Sequence, residues 1–421
     1  MYEKTILDNG LRIVAYPMTA MQSVALGIWI NVGGRYESRE FKGISHYLEH
    51  LLFKGSRKYC CRKIKESIEG IGGSLNGFTS EELTCYLVKI PFRHLELALD
   101  ILSDMVLNPL LTQEDIDKER SVIIEEIKMY KDHPQSYVYE LLDELLWPGQ
   151  PLGMGIAGTT ESVGRINRKD LLLYQGHHYT PLNMVVSACG RLNYPRFKKR
   201  IEGIFKDASG KSRNVFVTAR ENQRQPQFRI FHKDTEQTHL ALGFHGFMRD
   251  HHLRHAMAML HIILGANMSS RLFNEVREKR GLAYEIGTQV KHFQDTGAFL
   301  VHAGVDNSKT SDAAAVILRE LGNIKRDLPG IDEFRRAKEF YLGQLRLSLE
   351  DTMDHMLWIG ESSATLNKTY SLPAVISKIQ KLRRDDVRRV ARMIFKENNL
   401  NLALIGPLGG AEEKTLKGLS L

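Results

Sequence analysis

His46-Tyr47-Leu48-Glu49-His50 places two imidazoles and a carboxylate within five residues, and the apolar residues around them predict a helix from about Gly43 to Phe53. On a helix, residues i and i+4 share a face. His46 and His50 can therefore grip one metal ion from successive turns, while Glu49 lies beside them with a carboxylate free to act on a water at that metal. The order His-x-x-Glu-His is the inverse of the better-known His-Glu-x-x-His zinc pattern. The plainer reading is a polar helix face whose histidines cap a core.

A second acidic helix is expected from Glu114 to Tyr130, where Glu119, Glu125 and Glu126 interrupt an apolar register of Val122, Ile123, Ile124 and Ile127. Zinc sites that catalyse need a third protein ligand and one open position. At about 100° per residue, Glu126 lies almost directly over Glu119 two turns earlier, whereas Glu125 points off that line. Glu126 is therefore the expected third ligand. Glu119 faces the same site and can accept the outer N–H of a ligand histidine, which fixes its tautomer and orientation.

With these residues in place, the chain resembles the pitrilysin and mitochondrial processing peptidase family of zinc metallopeptidases, in particular its small two-domain bacterial-type members. Glu126 follows His50 by 76 residues and Glu119 by seven, as in that family. Further resemblance lies in Gly72-Gly73-Ser74-Leu75-Asn76-Gly77-Phe78-Thr79, in Glu119-Arg120 through Glu125-Glu126-Ile127, and in Ser270-Arg271-Leu272-Phe273 leading to Arg277 and Gly281-Leu282-Ala283-Tyr284.

The likeness implies one zinc ion per chain held by His46, His50 and Glu126, with Glu49 as the base. It implies that Arg277 and Tyr284 donate to the oxyanion, and that an extended substrate docks on an edge strand around Asn76 and Phe78. It also implies an α+β fold: two homologous domains, each an antiparallel sheet with helices packed on it, facing each other as a clamshell. Unfolded peptides or protein segments are the expected substrates, and a homodimer or a heterodimer with a sister chain the expected assembly. The rival readings are a catalytically silent scaffold or partner subunit of the same family and, more remotely, a basic binding module. Silent relatives usually lose a ligand or the base, and all four residues stand here.

At 421 residues the chain is too long for one core and predicts at least two domains. Its composition, 43% apolar with no long uncharged run, is that expected of a soluble protein, and no segment approaches the length a bilayer-spanning helix needs. The start, Met1-Tyr2-Glu3-Lys4-Thr5-Ile6-Leu7-Asp8, has neither the apolar core of a signal peptide nor the pattern of a transit peptide, so a cytoplasmic location is expected. Cys60, Cys61, Cys85 and Cys189 have no zinc or disulfide spacing and are expected as reduced thiols. The net charge of +8 comes from scattered Lys and Arg without an aromatic-basic motif, which argues against nucleic acid as a partner.

Strands are expected at Leu11 to Met18, Ser23 to Val32 and Glu82 to Ile90, with a helix at Cys61 to Glu69 and another ending near Asn108-Pro109. The same order returns about 216 residues later. Gln22-Ser23-Val24-Ala25-Leu26-Gly27 resembles Gln237-Thr238-His239-Leu240-Ala241-Leu242-Gly243, and Asp170, Asn183 and Gly190 match Asp386, Asn399 and Gly406. A duplicated α+β unit follows, with a zinc-binding domain at 1–208, a linker at 209–227 and a homologous domain at 228–421. In the second half the positions matching Glu119 and Glu126 are Ala337 and Gln344, so His251, His252, His255 and His261 have no acidic helix to complete a second site.

Overall fold

Runs of β-branched residues flanked by amphipathic helices produce a mixed α+β architecture with two sheets, seen in a computed structural model that describes residues 2–210 and 213–419. The chain divides into two compact units: Met1–Lys128, Met154–Val217 and Arg346–Ser371 form the first, and Met129–Gly153, Thr218–Leu345 and Leu372–Leu421 form the second.

The sheet of the first unit contains β1 (Glu3–Ile6), β2 (Arg12–Pro17), β3 (Ser23–Ile30), β4 (Ser74–Thr79), β5 (Thr84–Pro91) and β6 (Met184–Gly190) in the order β1-β2-β6-β3-β5-β4. Only β2 and β6 run parallel; the other pairs are antiparallel. The apolar sequence of β3 is buried on both faces, as a central strand requires. Val24, Leu26 and Ile28 face a core built with α1 (Ile44–Leu52), α2 (Cys61–Glu69), α3 (Leu95–Leu107) and α4 (Gln113–Asp132). Ala25 and Trp29 face the other way and, with Cys85, Val185 and Cys189, meet Met356, Ile359 and Ala364 of the helix Thr352–Leu366. β4 ends the sheet, and its residues alternate between exposed and half-buried.

The second unit repeats the plan. β7 (Gln227–His232), β8 (Gln237–His245), β9 (Ala283–His292), β10 (Gly297–Asp306) and β11 (Asn401–Gly406) lie in the order β7-β11-β8-β10-β9, with β7 and β11 parallel. Putting β2, β6, β3, β5 and β4 in those places gives the same order and the same directions, as a duplication demands. Here the second face of the sheet is covered by α5 (Pro134–Leu146), through Val138, Leu141 and Leu142 against Ala241, Leu300, Ala403 and Ile405.

The units therefore differ from the contiguous spans 1–208 and 228–421. Each sheet has two apolar faces, and in both units the second face is covered by a helix from the other half of the sequence. The described part of the linker has no helix or strand before Gln227, yet it is tied down: Phe216 lies under the Arg35 guanidinium at 3.9 Å, and the Asn214 amide donates to Asn183 Oδ1 at 2.8 Å. All four cysteines are free thiols. Among the described residues, no helix is long and apolar enough to cross a membrane.

Candidate metal centre

α1 begins abruptly at Gly43, whose φ of +96° suits only glycine and whose missing side chain leaves room for the Ala157 carbonyl. Glu37 accepts hydrogen bonds from the Gly43 and Ser45 amides at 3.0 and 2.8 Å, so a carboxylate satisfies donors that a helix start leaves open. Ile44, Tyr47, Leu48, Leu51 and Leu52 are buried in the core, which turns His46, Glu49 and His50 to the opposite, half-exposed face. The Tyr47 hydroxyl donates to the Ile116 carbonyl and fixes α1 against α4.

Along α4, Ile116, Glu119, Ile123 and Ile127 form the buried stripe, and Val122 faces out. Glu126 comes round to the histidines: its Oε1 is 3.8 Å from His46 Nε2 and its Oε2 is 3.6 Å from His50 Nε2. Glu125 points to solvent and pairs with Lys128. Glu119 Oε2 lies 3.1 Å from His50 Nδ1. That contact puts the proton on Nδ1 and turns the Nε2 lone pair toward Glu126. Burial, with His50 beside it, holds the His46 imidazole down to about 4, so it is neutral and able to ligate at pH 7.

The ligand atoms of His46, His50 and Glu126 all lie within 4.8 Å of one another, and among the described residues no other such group of His, Cys, Asp or Glu occurs. Donors about 2.0–2.1 Å from a tetrahedral zinc ion lie roughly 3.3 Å apart. The two His–Glu126 separations are a few tenths of an ångström wider than that and too long for hydrogen bonds, and two imidazoles with one carboxylate are a donor set that fits zinc. Burial raises the Glu49 carboxyl above its ordinary value, an effect opposed by the Thr79 hydroxyl, which donates to Oε2 at 2.6 Å, and by His50.

Asn76 and Phe78 lie on β4, the edge strand, with the Phe78 ring edge-on to Trp29 at 5.9 Å. In the second unit a π-helical turn, Phe273–Glu278, ends before Gly281 (φ +58°), and Tyr284 is the second residue of β9. This sequence of helix end and strand brings the Arg277 guanidinium to 5.3 Å from the Tyr284 ring, whose residue is 74% exposed. His251, His252, His255 and His261 have other contacts: His255 Nδ1 meets the Tyr341 hydroxyl, His261 Nδ1 meets the Thr288 hydroxyl, and His251 stacks on Phe247 and packs against the His252 ring.

Two contacts of the site have no counterpart in the sequence reading. Lys54 Nζ reaches Glu119 Oε1 at 2.5 Å, a partner that its place one turn after His50 could have suggested. The Thr79 contact to Glu49 spans thirty residues, and no periodicity announces it.

The fold and this cluster define a duplicated α+β protein with a His-His-Glu cluster able to hold a metal ion in its first half. Residues 13–160 match the family described as Insulinase (Peptidase family M16), and residues 165–341 match the family described as Peptidase M16 inactive domain. The uncharacterized zinc protease YmxG of Bacillus subtilis is 36% identical over 97% of this chain and 99% of its own length. An uncharacterized zinc protease of Streptomyces coelicolor is 35% identical over 96% of this chain and 89% of its own length. The chain belongs to peptidase family M16. A protease from Helicobacter pylori shares the fold with a TM-score of 0.92 at 23% identity, covering 97% of this chain and 100% of that one. A peptidase M16 inactive domain from Pseudomonas fluorescens does so with a TM-score of 0.90 at 17% identity, covering 97% and 98%.

Proposed function

We propose that the chain is a zinc-dependent endopeptidase or oligopeptidase acting on unfolded peptides or protein segments. The observation that carries this reading is the convergence of His46, His50 and Glu126 within 4.8 Å, with Glu49 on the same helix face. Zinc held by those three side chains would supply a Lewis acid that activates water and polarises the scissile carbonyl. Glu49 takes a proton from the attacking water on Oε1 and returns it to the leaving amine; its raised proton affinity suits both transfers. The unpaired edge of β4 offers main-chain groups to an extended peptide, with Asn76 and Phe78 flanking it. Arg277 and Tyr284 are assigned as donors to the developing oxyanion, by resemblance and by their pairing.

Zinc content and hydrolysis of a mixed peptide library test the assignment together. Glu49→Gln should keep about one zinc per chain and lose hydrolysis, since the base goes and the ligands stay. Glu126→Gln should empty the site and Glu125→Gln should not; the reverse would place the third ligand on the other carboxylate. A wild-type chain that binds zinc but leaves every peptide intact would establish the silent scaffold instead. Pairing with a second copy or a sister chain, and a cytoplasmic setting, are proposed on the resemblance alone, and light scattering tests the first.

A further inference from the structure

We infer that Thr79 is a positioning residue that fixes Glu49 and ties it to the edge strand on which a substrate would dock, an inference that rests on the role proposed for Glu49. β4 has two faces. Ser74, Asn76 and Phe78 stand on the exposed one, and Leu75, Gly77 and Thr79 on the half-buried one that packs against α1. At Gly77 a side chain would come within 3.1 Å of the Phe53 ring at the end of α1, so glycine lets the strand lie flush against the helix that carries the motif.

Two residues further on the same face, the Thr79 hydroxyl donates to Glu49 Oε2 at 2.6 Å. A short bond to a charged acceptor is among the stronger hydrogen bonds a side chain can make. It holds one carboxylate oxygen and the plane of the group, and it leaves Oε1 as the oxygen that can take a proton. Thr79 also sits in the ladder, paired with Thr84 of β5, so its backbone is fixed on one side and open on the other. A peptide added to that open edge restrains the same strand that orients the base. Docking and proton transfer are thereby coupled through one residue.

Thr79→Val keeps the shape and the strand preference of threonine and removes only the donor. In the full-length zinc-loaded chain it should lower kcat about 10–100-fold, the scale of a misplaced reacting group, with KM within about twofold and zinc still near one per chain. Thr79→Ser, which restores the hydroxyl, should bring kcat back. In the Glu49→Gln background, adding Thr79→Val should change neither residual hydrolysis nor the anisotropy of a bound, fluorescently labelled unstructured peptide, because a cycle shows coupling only where both partners are present. Normal kcat in Thr79→Val, failure of serine to rescue, or a loss of peptide binding equal to the loss in kcat/KM would each overturn the inference. Glu49→Gln that stays active would instead overturn the assignment of the base, so the two failures are distinguishable.

Discussion

Glu119→Gln isolates the support behind His50, one of the three proposed zinc ligands. The substitution keeps the size of the side chain but replaces the carboxylate that accepts from His50 Nδ1 at 3.1 Å and binds Lys54 Nζ at 2.5 Å. Losing such a partner of a metal-bound histidine typically weakens metal binding 10–100-fold, which is about 1.4–2.8 kcal/mol. The zinc-free fold should hardly notice. Lys54 keeps roughly a third of its side chain in water and can be solvated where it stands, so the lost ion pair is worth less than about 1 kcal/mol, or roughly 2–4 °C of Tm for a domain of this size. Zinc affinity is read by competition of the zinc-free chain with a chromophoric chelator, and stability by thermal unfolding of the same sample. A zinc Kd within twofold of wild type would refute the role given to Glu119. So would a large fall in Tm that accounts for the whole loss of affinity, since Glu119 would then be holding α1 to α4 and not orienting His50.

Tyr284→Phe and Arg277→Ala should each leave zinc content and fold intact and lower kcat/KM by roughly two to three orders of magnitude, the usual loss of one oxyanion donor; near-normal turnover in both would remove the second unit from the chemistry. Gly360→Ala should destabilise the first unit by about 1–3 kcal/mol in urea unfolding, because the new methyl group would overlap the indole of buried Trp29. Acid should weaken the second unit through His255 and His261, which burial holds down to about 4. Their folded values lie below the ordinary 6.5, so between those limits the unfolded chain binds protons that the folded one refuses, and stability falls as pH falls through that window. Equal urea midpoints at pH 7 and pH 5 would contradict it.

The helix of the His-x-x-Glu-His motif was legible because His46, Glu49 and His50 are local, and a helix period converts their spacing into a shared face. Glu126 could be picked out for the same reason, once Glu119 gave the phase of α4, on which Glu125 lies at the solvent side. The duplication could be read from matched positions whose offsets stay close to 216, and the common strand order of the two sheets follows it. What the sequence hid were contacts between elements distant along the chain. The pattern of α5 shows that one face is apolar, but Val138, Leu141 and Leu142 would suit either sheet equally well, and contiguity wrongly favours the nearer one. Thr79 lies in a stretch that matches the family, yet its role stays hidden there, because a hydroxyl's acceptor depends on how a strand packs against a helix.

The exchanged helices change what a cut in the chain would do. Between the two units the backbone passes at 128/129, 153/154, 217/218, 345/346 and 371/372, so the segment before β7 is one of several ties. A protease that nicks residues 221–226 leaves an N-terminal piece whose α5 is buried in the second unit, and a C-terminal piece whose helix Thr352–Leu366 is buried in the first. Such nicked protein should migrate as two bands in denaturing gels and as one particle in native ones. Residues 1–210 made alone would expose Trp29, Cys85, Val185 and Cys189 to water and should aggregate, until residues 221–421 are supplied in trans to restore the missing cover.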